Sequence, residues 1–136
     1  MHSYPKLTKP KMRSMIEQGM IFPGNSDMTG SQPEAFDPWH SIWVSVTRKD
    51  CFGEIHSPQE CITPLQALRM HTLWGAWGGF EEKIKGSIEP GKLADLVVLG
   101  ADPLSVEHDA LKEMPVELVL VGGKPSYADA SFKGVL

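Results

Sequence analysis

The chain has 136 residues and only two cysteines, too few for a disulfide framework. No apolar run approaches the ~20 residues that a membrane-spanning helix requires. The opening stretch "MHSYPKLTKPKMRSM" is basic but has no apolar centre, so no secretory signal is expected there and the expected compartment is the cytoplasm. Positive charge is not in excess. Thirteen Lys and Arg stand against 17 Asp and Glu, a net charge of −4, which argues against a general nucleic-acid binder. The motifs H-x-H, H-E-x-x-H and G-x-S-x-G are all missing, and there is no internal repeat.

What is present is globular. Hydrophobic residues make up 41 % and charged residues 22 % of the chain, enough for one ordinary domain. All four tryptophans, Trp39, Trp43, Trp74 and Trp77, precede the last third. That shift suggests two kinds of structure joined near Gly78-Gly79 or Gly86, with expected units 1–80 and 81–136.

The stretch "GSIEPGKL", residues 86–93, meets the G-x-x-x-x-G-K spacing of a phosphate loop. Pro90 removes a backbone donor, and Leu93 stands where a metal-binding hydroxyl would be needed. "ADLVVLG" follows and reads as a strand, whereas a phosphate loop feeds a helix. A Pro-Gly turn entering a strand is the better reading.

Elsewhere, "KMRSMIEQ" places Met12, Met15 and Ile16 at helical spacing, with Gly19 as a C-terminal stop. "MIF" then suggests a short strand over about residues 20–25, ending in the polar loop that carries Asp27. "WHSIWVSVT" puts Trp39, Ile42, Trp43 and Val46 on one helical face. Residues 48–62 read as irregular. Thr63, Pro64 and Gln66 form a capping-box pattern, and the helix they open would present Leu65, Leu68, Thr72 and Leu73 on one face and end at Gly75 or Gly78. Residues 94–99 and 116–121 read as strands. Gly122-Gly123 is a hairpin turn, and Pro125 confines the returning strand to an edge.

Candidate chemical groups are few. Asp27, just after the expected strand, suits a metal ligand or a general base, or else a turn aspartate bonded to its own backbone. Cys51, His56 and Cys61, with His40 upstream, are of zinc-binding type but lack the tight pairs of structural zinc sites, so free cysteines are the better reading. His71 reads as a packing or helix-surface residue, and His2 and His108 have no neighbours in sequence.

Taken in order, "GSIEPGKLADLVVLGADPLSV" and "VELVLVGGKPSY" resemble the C-terminal end of amidohydrolase-superfamily enzymes. "MRSMIEQGMIFPGNSD", "VTRKD" and "ITPLQALRMHTLWGAWGGFEEKIK" extend the resemblance over roughly residues 10–127, in the branch called amidohydrolase family 3. The resemblance implies an α/β fragment: the last βα part of a TIM-barrel metal-dependent hydrolase, followed by strands of a small β-sandwich-like subdomain. It implies hydrolysis of non-peptide C–N bonds in small-molecule amide-type substrates, with a divalent metal such as zinc as cofactor. Asp27 would be the metal-associated aspartate that orients or deprotonates the hydrolytic water, with Ser26 beside it. The family's remaining metal ligands come from strands that this sequence does not contain. The chain is therefore expected to be a C-terminal segment, a truncated reading frame or one piece of a split enzyme. Apolar faces carrying Trp39, Trp43 and Trp74 would then drive self-association or binding to the missing barrel.

Overall fold

The computed structural model describes residues 10–25 and 36–132, so Asp27 and Ser26 lie outside the described residues, as does His2. Four helices come first: α1 (Met12–Glu17), α2 (Pro38–Thr47), α3 (Pro64–His71) and α4 (Leu73–Gly78). Three strands follow: β1 (Leu96–Leu99), β2 (Val116–Val121) and β3 (Lys124–Ala128). They form one antiparallel sheet in the order β1-β2-β3.

The helix ends follow from local chemistry. Gly19 ends α1 at φ 83°. The Gly19 N–H donates to the Ile16 carbonyl (2.9 Å) and the Met20 N–H to the Met15 carbonyl (3.1 Å), so two otherwise orphaned carbonyls are satisfied. Asp37 opens α2 by accepting from the Trp39 N–H at 2.9 Å, with Pro38 in the first turn. Thr63 and Gln66 form the reciprocal capping box of α3.

The expected helix 63–74 is broken one turn before the expected stop. Thr72 leaves helical geometry at φ −123°, ψ −97°, and α4 starts anew at Leu73. This elbow changes which residues are buried. Of the expected face Leu68 packs against the core, but Leu65 and Leu73 are exposed, and Ala67 and Met70 are buried in their place.

The core runs from α2 into the C-terminal half. Trp39, Ile42, Trp43 and Val46 are all buried, as their spacing predicts. They meet Ile62, Ala67, Met70, Leu111 and Met114. Leu111, fully buried, comes from a 3₁₀ turn at His108–Glu113 that lies on α2. Trp39 and Trp43 therefore hold the chain's own core together. They do not form the sticky face expected from an unpartnered barrel helix, and Trp74 is half-buried against the same core.

The hairpin forms as read. Gly122 (φ 57°) and Gly123 (φ 77°) take the left-handed conformation of a two-residue turn. The register between β1 and β2 shifts at Val98/Leu99. That shift turns Leu99 toward the core and leaves Val97 and Val98 exposed. The strand expected at 20–25 is not formed. Those residues run without a strand partner, and Met20 and Ile21 are exposed. A strand exists only with a neighbour for its backbone groups, and among the described residues none lies beside this segment.

Candidate functional site

The segment leading to Asp27 is anchored at three successive residues. Phe22 lies against Trp74, with ring centroids 6.3 Å apart. Pro23 lies against Gly78, where a Cβ would come within 2.2 Å of the Pro23 ring. The Gly24 N–H donates to the Met70 carbonyl at 2.9 Å. Gly24 also abuts the imidazole of His71, whose Nε2 lies 3.1 Å from Ser41 Oγ on α2. Burial lowers the pKa of His71 from its usual value, because the cation would lose water without gaining a counter-charge.

The other side of the elbow receives the near-phosphate loop. Gly86 (φ 93°) fits where a Cβ would lie 2.6 Å from the Ala76 Cβ and 3.1 Å from the Thr72 carbonyl oxygen. Lys92 is turned back on its own loop, donating to Ser87 Oγ (2.5 Å) and Glu89 (3.2 Å). The loop closes further through the Leu93 N–H to the Ile84 carbonyl at 2.8 Å. Asp95 accepts from the Gly122 N–H at 2.7 Å, and the Gly123 N–H reaches the Ala94 carbonyl at 2.9 Å. The signature residues thus tie a turn, a strand start and a hairpin together, and the lysine that would hold a phosphate is engaged within its own turn.

The zinc-type residues are not assembled. Cys51 is exposed and Cys61 half-buried, and both are free thiols. His56 Nε2 pairs with Asp50 at 2.6 Å, a bond that leads the causes holding the Asp50 carboxyl below its usual range. His40 stacks at a tilt on Trp43, 5.3 Å between centroids. Among the described residues, no group of three or more His, Cys, Asp or Glu could hold a metal ion.

A cleft of about 750 Å³ lies between α2, the 49–53 turn and the 108–113 turn, lined by His40, Trp43, Lys49, Cys51, Asp109 and Lys112 among others. Lys49 and Asp109 in it are already paired. Lys49 holds Asp109 at 2.6 Å, Trp43 Nε1 donates to the same carboxylate at 3.0 Å, and Lys112 sits 5.4 Å from the Trp43 ring centre. Hydrogen bonds from Lys49 and then Trp43 keep the Asp109 carboxyl below its usual range. The cleft is a joint between the two halves of the chain.

Two buried charges escaped sequence reading. Arg48, in the left-handed conformation after α2, donates to the His56 carbonyl (3.2 Å) and the Pro10 carbonyl (3.3 Å). Glu60 accepts from the Ser14 hydroxyl (2.6 Å) and backbone N–H (3.0 Å), and those bonds lower its pKa. No sequence signal marks either residue, because the contacts to Pro10 and Ser14 lie 38 and 46 positions away.

The turn, strand and hairpin signature is now accounted for residue by residue, and its neighbours among known proteins agree. The amidohydrolase family model matches residues 2–127. The chain belongs to the amidohydrolase family. It is 33 % identical over 116 residues to an N-substituted formamide deformylase from Arthrobacter pascens, covering 85 % of this chain and 21 % of that protein. It is 27 % identical over 118 residues to YtcJ of Bacillus subtilis (strain 168), named as an amidohydrolase, covering 85 % of this chain and 22 % of that one. A crystal structure of an amidohydrolase from Thermotoga maritima MSB8 superposes with a TM-score of 0.62 at 21 % identity, covering 87 % of this chain and 26 % of that one. This amidohydrolase chain therefore spans about a fifth of the length of the curated relatives it matches. No helix among its described residues is long and apolar enough to cross a membrane.

Proposed function

We propose that the chain is the C-terminal part of a metal-dependent amidohydrolase that hydrolyses C–N bonds other than peptide bonds, with Asp27 as the metal-associated aspartate and general base. The observation that carries this reading is the family match over residues 2–127, which includes the "GNSD" stretch ending in Asp27. The name of the Arthrobacter relative makes N-substituted formamides the first substrates to try. A catalytic zinc takes three protein ligands and a water. The described residues do not fit such a site, so the remaining ligands would have to come from a barrel segment beyond them. The 136-residue chain by itself is accordingly expected to be inactive.

A second reading is a non-catalytic relative that works as a folding or oligomerisation module. Exposed apolar side chains support it: Phe80 at 93 %, Ile88 at 88 % and Trp77 at 47 %. The deciding test measures zinc content after dialysis and hydrolysis of N-formyl and N-acyl amines. It is run on the chain alone and on the chain joined to a family barrel. Turnover by the joined protein that is lost in Asp27→Ala supports the first reading. No turnover in either form, with a discrete oligomer in solution, supports the second.

A further inference from the structure

We propose that residues 77–93 form a docking lobe for the larger body of an amidohydrolase, with Phe80 as its anchor. The proposal rests on the reading of this chain as one part of such an enzyme, but it involves no metal and no catalytic residue.

The lobe is closed by its own backbone. At the end of α4 the Phe80 N–H donates to the Trp77 carbonyl (3.0 Å) and the Glu81 N–H to the Ala76 carbonyl (2.8 Å). The Ile84 N–H returns to Glu81 at 2.9 Å, and the Leu93 N–H to Ile84 at 2.8 Å. Gly86 sits against Ala76 and the Thr72 carbonyl. This fixed backbone carries Trp77, Phe80, Ile84, Ile88 and Leu93, and all five side chains are exposed.

Phe80 is the decisive residue. Among the described residues, three other than glycine have a positive φ: Arg48, Ser57 and Phe80. For a bulky side chain that backbone is strained. Arg48 offsets the strain inside the chain, where it is buried and donates to two carbonyls. Ser57 is small and opens a 3₁₀ turn. Phe80, at φ 59°, has no such offset, because its side chain is 93 % exposed. A strained backbone that holds an aromatic ring in water gains nothing within this chain. It gains once a partner receives the ring.

The occupant follows from length. The chain covers 21 % and 22 % of two curated relatives, and 26 % of the Thermotoga protein whose fold it shares. In each of them most of the protein lies outside the match. A larger body joined to this fold covers some part of its surface. Phe80 and Ile88 are the two most exposed large apolar side chains among the described residues, at 93 % and 88 %, and both lie on the lobe. Glu81 pairs with Lys85 and Glu89 with Lys92, so the lobe offers rings and aliphatic chains to a face that is itself apolar.

The test is hydroxyl-radical footprinting, which oxidises aromatic rings open to water. It compares the 136-residue chain alone with the chain joined to a family barrel, where it replaces the matched segment of the Thermotoga amidohydrolase. Phe80 oxidation should fall at least fivefold on joining. Phe52, 87 % exposed on the 49–53 turn, should be oxidised equally in both. Thermal unfolding then reads the strain. Asn suits a left-handed backbone better than Phe, so Phe80→Asn should raise the Tm of the chain alone by about 2 °C and lower that of the joined protein. Equal Phe80 oxidation in both forms overturns the proposal, as does protection of Phe52 in place of Phe80. So does an oligomer of the chain alone, seen by sedimentation, in which Phe80 is already protected, because the lobe then belongs to a second copy. If the joined protein fails to fold, the chain alone decides. A Phe80→Asn chain more stable than wild type supports the proposal, and one no more stable means that the ring already has its contacts and overturns it. The catalytic reading fails in a different way: Phe80 is protected in a joined protein that shows no turnover. Turnover by a joined protein whose Phe80 stays open removes the lobe and leaves that reading standing.

Discussion

Residues 86–128 and residues 12–25 face the same demand, a partner for every backbone N–H and C=O, and meet it in opposite ways. The first region is self-sufficient. Its turn, strands and hairpin bond to one another, and Asp95 even supplies an acceptor to the Gly122 N–H of its own turn. The second borrows. After α1 closes on itself, Gly24 sends its N–H to the last turn of α3, 46 residues ahead in the chain. A self-contained region carries the partners for its own strand backbone. A borrowing region takes whatever structure its lender offers, which is why an apolar run that reads as a strand lies here as an extended strap on a helical elbow.

This contrast can be broken at its bolt. Leu111→Ala removes a fully buried side chain where the 108–113 turn meets α2, and should destabilise the chain by about 2–5 kcal/mol. Urea unfolding should then separate into two transitions, with the β2–β3 amides outlasting those of α2. A single sharp transition at wild-type stability would show that the two regions do not depend on this joint.

A smaller effect is expected at Gly86, where the self-contained region touches the elbow. Gly86→Ala adds a methyl against Ala76 and Thr72 at a positive φ, and should cost about 1–3 kcal/mol. Trp74 fluorescence should shift as the elbow moves. Smaller again is Asp95→Ala, which leaves the Gly122 N–H to water and should cost about 1 kcal/mol in thermal unfolding. Asp95→Asn keeps an acceptor and should lose less.

The smallest effect is one of pH and belongs to the borrowing region. The folded-state pKa of His71 lies below the usual 6.5, so the unfolded chain binds its proton first. Stability should be unaffected by this group above pH 6.5, fall as the pH drops below it, and level off beneath the folded value. Asp50, Glu60 and Asp109 are shifted down from 3.8, 4.5 and 3.8, and add a separate loss at lower pH. Stability curves of wild type and His71→Gln should differ only in the first limb. Identical curves would mean that the ring is solvated.

Reading the sequence succeeds where the cause is local. The caps of α1 and α3, the apolar stripe of α2 and the double-glycine hairpin all place their determinants within a few residues of one another. Three of its expectations fail or fall short for the opposite reason, and two buried charges go unread. The break at Thr72 lies where Gly86, from later in the chain, packs against Ala76 and the Thr72 carbonyl. The strand at 20–25 lacks a neighbour among the described residues. The burial of Trp39 and Trp43 depends on Leu111 and Met114 arriving from the other half. Arg48 and Glu60 are buried on partners that no spacing rule connects. Of the candidate site, the approach to Asp27 is visible as a Pro-Gly boundary, but the residues that grip it come from α3 and α4. Asp27 itself lies outside the described residues.

The three-stranded sheet also has unequal rims. On one side β3 carries Pro125 and so is one hydrogen-bond donor short. On the other, β1 is four apolar residues, Leu-Val-Val-Leu, with no charge or proline to deter pairing and with Val97 and Val98 open to solvent. The two rims of the sheet therefore differ in what they offer: β3 lacks a donor at Pro125, and β1 carries no charge or proline along Leu96–Leu99.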